Sequence, residues 1–190
     1  MFEEGLQTFH LRKRKWSTLE TDRFLKKIPK HFHNRIVLHH HHILSTKYNL
    51  KGIHFSKEHL NRKWKYFWLK IRLKIKFQEL TKSHSAHSLK SAYAIESGRF
   101  DYVFLGNLFN NITGEFINEF NRTNVQSLLS SRNDISWIAR GGCTPKIISL
   151  CKDMGFSGIA FYSWIWKNEN PLERLKIIMR EFDKNNIKIE

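Results

Sequence analysis

A parallel α/β fold of repeated strand and helix units is what the sequence predicts, on three observations. The stretch Ile135 to Trp166, ISWIARGGCTPKIISLCKDMGFSGIAFYSWIW, reads as an apolar strand, a glycine loop, a helix and a second apolar strand, and two buried strands joined by one helix must run parallel. Seven strand segments recur along the chain, near Gln7, Arg35, Lys51, Gln78, Asp101, Ile135 and Gly158, with helical patterns interspersed. No linker, low-complexity segment or repeat divides the 190 residues, so a single domain spanning 1–190 is expected. A closed parallel barrel wants eight strands. The chain starts as if at a helix end, so a first strand and most of its helix are expected to be missing; an open parallel sheet is the alternative.

In chain order, Phe2 to Gly5 reads as the last turn of a helix, and Gln7 to Leu11 alternates as a strand before the basic cluster Arg12 to Lys15. Ser17 and Glu20 form a capping box for a helix to about Ile28, with Leu19, Phe24, Leu25 and Ile28 on its buried side. Arg35 to Leu38 and Lys51 to Phe55 are further strands, and Gln78 to Lys82 another, followed by a helix from Leu89 to Ser97. Asp101 to Leu105 is a strand closed by Gly106-Asn107, a polar loop runs to about Asn121, and a helix is expected near Val125 to Leu129. In the central stretch Thr144 is placed to cap a helix, Pro145 suits its first position, Ile147, Ile148 and Cys151 share its face, and Gly155 ends it. The last helix spans Pro171 to Asp183, capped by Asn170, with Leu172, Leu175, Ile178, Met179 and Phe182 as its buried stripe.

The net charge of +16 favours anionic partners, whether phosphorylated small molecules, nucleic acid or an acidic membrane surface. No apolar run reaches membrane-spanning length, and MFEEGLQTFH lacks the pattern of a signal peptide. Cys143 and Cys151 are therefore read as reduced thiols of a cytoplasmic protein. Gly141 and Gly142 stand at the carboxyl end of a strand, where such folds place their sites. With Phe161-Tyr162-Ser163 at the end of the next strand they could cradle a phosphate through backbone N–H groups, or they could simply make a tight turn.

His39 to His42 invites a metal reading. In a strand these residues alternate faces, so at most two could share one centre, and no nearby carboxylate completes a set; polar residues lining a strand end are expected instead. In His59 to Phe77, aromatics interleave with lysine and arginine, which could serve nucleic acid or an anionic membrane. The expectation is a packed segment whose Trp64, Phe67, Trp68 and Ile71 point inward, with nucleic acid not the partner.

Six motifs in order, HLRKR (His10 to Arg14), KGIHFSKEH (Lys51 to His59), SAHS (Ser85 to Ser88), DYVFLGNLF (Asp101 to Phe109), IARGGCT (Ile138 to Thr144) and GFSGIAFYS (Gly155 to Ser163), resemble the thiamine phosphate synthase and thiazole tautomerase family over nearly the whole chain. The resemblance implies a (β/α)8 TIM barrel. Its synthase members join a hydroxymethylpyrimidine diphosphate to a thiazole phosphate and release pyrophosphate, with magnesium and basic residues helping the diphosphate leave.

Carried onto this chain, the resemblance assigns Arg12, Arg14 and Ser85 to the diphosphate as catalytic residues. His10 and His39 fall at substrate-binding positions, and Gly141, Gly142, Tyr162 and Ser163 on the phosphate cradle. His10 stands where synthases usually carry glutamine and Arg14 where they carry lysine. The magnesium positions fall on His40 and His59, both without their carboxylates, and histidine is a poor magnesium ligand. The loop lysine falls near Gly114, and the tautomerase histidine on Asn107. Three readings stand: a divergent synthase with phosphorylated substrates, possible magnesium and a possible homo-oligomeric state; a non-catalytic or tautomerase-like barrel binding thiazole or thiamine phosphate; and nucleic-acid or membrane binding through residues 59–77.

Overall fold

A computed structural model describes residues 1–61, 67, 68, 71 and 79–187. The described residues contain seven strands, and they fall into two compact units, Gln7–His84 and Met1–Leu6 with Ser85–Glu190.

The Gln7–His84 unit holds β1 (Phe9–Leu11), α1 (Thr18–Lys26), a 3-10 turn (Lys30–Arg35), β2 (Ile36–Leu38), α2 (Leu44–Lys47), β3 (Gly52–Phe55), α3 (Lys57–Asn61) and most of β4 (Thr81–Ala86). All its strand pairs are parallel, as the sequence predicts. His10 pairs with Val37, Val37 with Gly52, Gly52 with Thr81, and two residues further on His54 pairs with Ser83. Partners in parallel register share a face and alternate residues oppose it. One face therefore carries His10, Val37, Gly52, Thr81, His54 and Ser83, and the other the apolar set Leu11, Leu38, Ile53 and Phe55. Gly52 is required by packing, since a Cβ there would come 2.1 Å from the Thr81 carbonyl oxygen.

Helix α1 starts where the Ser17/Glu20 capping box places it. Its buried side differs from the expected one. Leu19 is exposed, whereas Asp22 is buried, held by Lys47, by Tyr48 Oη at 2.9 Å and by Lys26 at 3.1 Å. A charged side chain with three partners can occupy a position that hydrophobic periodicity alone assigns to leucine. Strand β4 runs later than the expected Gln78 to Lys82, because its pairing with β3 begins at Thr81 and carries the SHSA residues into the ladder. Phe67, Trp68 and Ile71 are exposed, against the expectation that they pack inward; Trp64 and the rest of 62–78 lie outside the described residues.

The other unit holds α4 (Leu89–Tyr93), β5 (Tyr102–Leu105), α5 (Arg122–Ser131), β6 (Ser136–Arg140), a 3-10 turn (Pro145–Ile147) leading into α6 (Ile148–Met154), β7 (Gly158–Ala160), α7 (Ser163–Trp166) and α8 (Pro171–Lys184). Strands β5, β6 and β7 are parallel neighbours, with Leu105 opposite Ala139 and Arg140 opposite Ala160. Val103, Leu105, Trp137 and Ala139 feed a core completed by Leu108, Phe109, Val125, Leu128 and Cys151. Met1 to Gly5 forms a turn rather than a helix end, with Gly5 at φ +97°. Helix α4 stops at Tyr93, short of Ser97. Helix α8 buries Leu175 and Ile178 as its pattern predicts. Both cysteines are free and buried. Among the described residues no helix is long and apolar enough to cross a membrane.

Candidate functional site

Each unit gathers its own polar constellation at the carboxyl ends of its strands. In Gln7–His84 this is a histidine cluster. The chain leaves β2 at Leu38 and turns, with His41 at φ +56°, so the run His39 to His42 is not a strand and its side chains do not simply alternate. Each ring finds a different place. His39 stacks on His54 with ring centroids 4.1 Å apart, and its Nε2 lies 3.0 Å from Nδ1 of His10. His41 donates from Nε2 to the Trp16 carbonyl at 2.7 Å. His42 is buried against Phe55 and His59, and its Nε2 has no hydrogen-bond partner. His40 lies 5.8 Å from His59 between ring centroids.

Burial governs the charge of these rings. It pushes His10 down to about 3, with the Lys51 ammonium adding to the effect. It pushes His39 down to about 2, aided by His10 and Arg12, and His42 down to about 3, aided by His59 and His40. His40 is lowered as well, by burial first and then by His41, Arg12 and Arg14, with Glu58 opposing. At neutral pH His10, His39 and His42 are uncharged, and the lysine and arginine charges acting on these rings and on His40 are those of Arg12, Arg14 and Lys51. Arg12 and Arg14, expected on a diphosphate, are exposed at the end of β1 and act electrostatically on His40.

The other unit presents the glycine loop. Gly141 and Gly142 have φ of +90° and +68°, a left-handed pair following β6. A Cβ on Gly142 would meet the Phe109 carbonyl oxygen at 1.8 Å, and one on Gly141 the Cα of Asn107 at 2.5 Å. Both glycines are thus required by the fold itself, and a bulky residue at Gly142 would report on folding rather than on ligand. Tyr162 and Ser163 leave β7 at the same end, since Arg140 pairs with Ala160; Tyr162 is exposed and Ser163 half-buried. Thr144, expected to cap the following helix, makes no side-chain cap bond, and its buried Oγ1 has no partner.

Sequence reasoning missed Arg140. Its Nη1 donates to Ser85 Oγ at 2.9 Å, Nη2 lies 3.1 Å from His87 Nδ1, and Nε and Nη2 both donate to the Gly106 carbonyl, at 3.1 and 2.6 Å. Ser85, expected beside a pyrophosphate, is held by this arginine. His54 and Ser83 were missed too, Ser83 lying 3.0 Å from His54 Nδ1. The signal was present in the sequence as two residues on one face of their strands, but only the register reveals that those faces coincide.

No family model matches the sequence. A thiamine-phosphate synthase of Prochlorococcus marinus (strain AS9601) is 23% identical over 162 residues, which is 85% of this chain and 44% of that protein. The chain therefore spans less than half the length of this curated relative. Among solved structures, a thiamine phosphate pyrophosphorylase from Bacteroides thetaiotaomicron aligns over 100% of this chain and 89% of its own, with a TM-score of 0.72 and 22% identity. One from Pyrococcus furiosus aligns over 96% and 86%, with a TM-score of 0.74 and 17% identity. The chain resembles thiamine phosphate synthases in sequence and shares their α/β fold.

Proposed function

We propose that the chain is a divergent thiamine phosphate synthase, binding a pyrimidine diphosphate and a thiazole phosphate and coupling them with release of pyrophosphate. The same reading takes its seven parallel strands as part of a (β/α)8 barrel. The observation that carries the proposal is the pair of adjacent strand-end loops, Gly141-Gly142 and Tyr162-Ser163, with the orphaned Thr144 hydroxyl two residues beyond the first. Left-handed glycines allow successive N–H groups to converge on an anion, and a buried hydroxyl without a partner is satisfied by a phosphate oxygen.

The roles follow from charge and geometry. Gly141, Gly142, Tyr162 and Ser163 hold the thiazole phosphate. Arg12 and Arg14 stabilise negative charge as it builds on the departing diphosphate, which is where electrostatic catalysis contributes most. His10 and His39, neutral at physiological pH, contact the diphosphate substrate as hydrogen-bonding groups without adding charge. Ser85, held by Arg140, offers a hydroxyl to a phosphate oxygen within its own unit.

Magnesium does not fit the positions the resemblance gives it. His40 and His59 offer imidazole nitrogens where that ion takes hard oxygen ligands in octahedral array. This substitution favours the second reading, a protein that binds thiazole or thiamine phosphate without coupling.

Two measurements on one preparation separate the readings. The protein is given both substrates with each of several divalent metals while thiamine phosphate is detected, and its melting temperature is followed against added thiamine phosphate. Product formation that is lost in Arg12→Ala supports the synthase. Ligand stabilisation without product assigns the binding role. Thr144→Val should leave the fold intact and weaken phosphate-ligand binding about tenfold, the worth of one buried hydrogen bond. Neither product nor stabilisation would overturn both readings.

A further inference from the structure

We propose that His10, His39 and His54 form a three-imidazole site for one divalent transition-metal ion, in the class of zinc, nickel or copper. The inference gives His10 and His39 a role other than the substrate contact assigned to them in the synthase reading, and it does not involve His40 or His59, the positions the resemblance gives to magnesium.

The site arises from the register of three neighbouring strands. His10 lies in β1, His39 one residue beyond the end of β2, and His54 in β3. His10 and His54 share one face through the pairs His10 with Val37 and Val37 with Gly52, and His39, whose backbone N–H donates to the Leu11 carbonyl at 3.1 Å, brings its ring against both. Each offers one nitrogen, and the three ligand atoms lie within 4.8 Å of one another. In a tetrahedral zinc site with Zn–N bonds of about 2.0–2.1 Å, ligand nitrogens stand about 3.3 Å apart. His10 Nδ1 and His39 Nε2 are already 3.0 Å apart, close to that spacing.

Three further features suit a metal. His54 is fully buried, and its Nδ1 is paired with the buried Ser83 Oγ at 3.0 Å. A hydrogen bond on one ring nitrogen that fixes the tautomer and aims the other is how proteins orient ligating histidines, and it leaves Nε2 of His54 as the coordinating atom. Burial keeps His10 and His39 uncharged at neutral pH, as ligation requires. Three nitrogens leave at least one coordination position open, the arrangement of reactive rather than purely structural sites.

The surroundings also select the ion. Arg12 acts on His39 and Lys51 on His10, and no carboxylate belongs to the cluster. Weakly bound hard cations gain too little from imidazole to offset that positive field. Ions at the strong end of the divalent series, with high affinity for nitrogen, do.

The test uses the full chain purified without a histidine tag, stripped with a chelator and titrated with Zn2+ against a chromophoric competitor, and in parallel with Co2+, whose visible bands report coordination number. One equivalent should bind, with the Co2+ bands of a four- or five-coordinate ion. His10→Asn, His39→Asn and His54→Asn should each weaken binding by more than about a hundredfold, beyond what loss of an outer partner produces, and Ser83→Ala by about tenfold. The double change His40→Asn with His59→Asn should leave affinity unchanged. Should a histidine variant fail to fold, 15N spectra of histidine-labelled wild-type protein decide the matter, because Zn2+ should shift the imidazole nitrogens of His10, His39 and His54. Absence of stoichiometric binding, or binding that survives His39→Asn but is lost in the His40/His59 double variant, would overturn the proposal.

Discussion

Three histidines whose titration is depressed, His42 buried and His10 and His39 partly so, give the protein a built-in sensitivity to acid. A ring pushed from its ordinary 6.5 down to about 3 stays neutral in the folded chain while the unfolded chain takes up a proton. Below pH 6.5 the unfolded state therefore binds more protons, and stability falls as pH falls, down to the folded-state values near 3 for His10 and His42 and near 2 for His39. At pH 5 each such ring removes roughly 1–2 kcal/mol, since one pKa unit is worth about 1.4 kcal/mol. Asp22 acts in the same direction but later. Its carboxyl, held down to about 2 by Lys47, Tyr48 and Lys26, contributes stability above its ordinary 3.8 that is lost only between pH 4 and 2. The expected outcome is a steep loss of urea-unfolding stability between pH 6.5 and 5, well above the range in which the Asp22 contribution is lost. A flat profile over that interval would mean that the histidines are not shielded from water as their burial indicates.

At the scale of the element, Arg140 ties together the carboxyl ends of strands through Ser85 in β4, the Gly106 carbonyl after β5 and its own place in β6. Its guanidinium also lies over Phe104 at 5.9 Å. A planar fork with five donors holds its acceptors in one fixed geometry, which a single ammonium nitrogen on a flexible stem does not reproduce. Arg140→Lys keeps the charge but should lower stability by about 2 kcal/mol, the loss of charge-assisted bonds to a buried carbonyl; urea unfolding at neutral pH measures it, and an unchanged midpoint would show the fork to be incidental.

Such ties explain what was legible in the sequence. Caps and stops carried by neighbouring residues, Ser17 with Glu20, Asn170 with Pro171 and Gly155 after Met154, place their helices within a residue or two. Leu19 was expected inside and is exposed, while Asp22 is buried, because Lys47 and Tyr48, some 25 residues on, satisfy the carboxylate there. The glycine loop could be named from local spacing. The His10, His39 and His54 cluster could not, because it exists only through a register between three strands that no local pattern encodes.

At the scale of the whole chain, the charge of +16 is not spread evenly. Between Gln7 and His84 there are twenty lysines and arginines against four aspartates and glutamates, and in the remainder thirteen against thirteen. All the excess resides in the unit that holds the histidine cluster, and Met1–Leu6 with Ser85–Glu190 is neutral. A field of this kind attracts any polyanion, with or without a dedicated site, so binding to nucleic acid alone would not establish a nucleic-acid function. Salt separates the cases. A surface that neutralises six or more phosphates loses about a thousandfold or more in affinity between 50 and 200 mM salt. A small phosphate held by backbone N–H groups and one hydroxyl in the neutral unit releases few counterions. Duplex DNA affinity is expected to fall by that large factor, while the affinity for thiamine phosphate changes only slightly over the same range, both measured on the same protein by fluorescence anisotropy and calorimetry. DNA binding that persisted undiminished at 200 mM salt would instead point to direct contacts with the bases, and would make the exposed Phe67 and Trp68 the first side chains to replace.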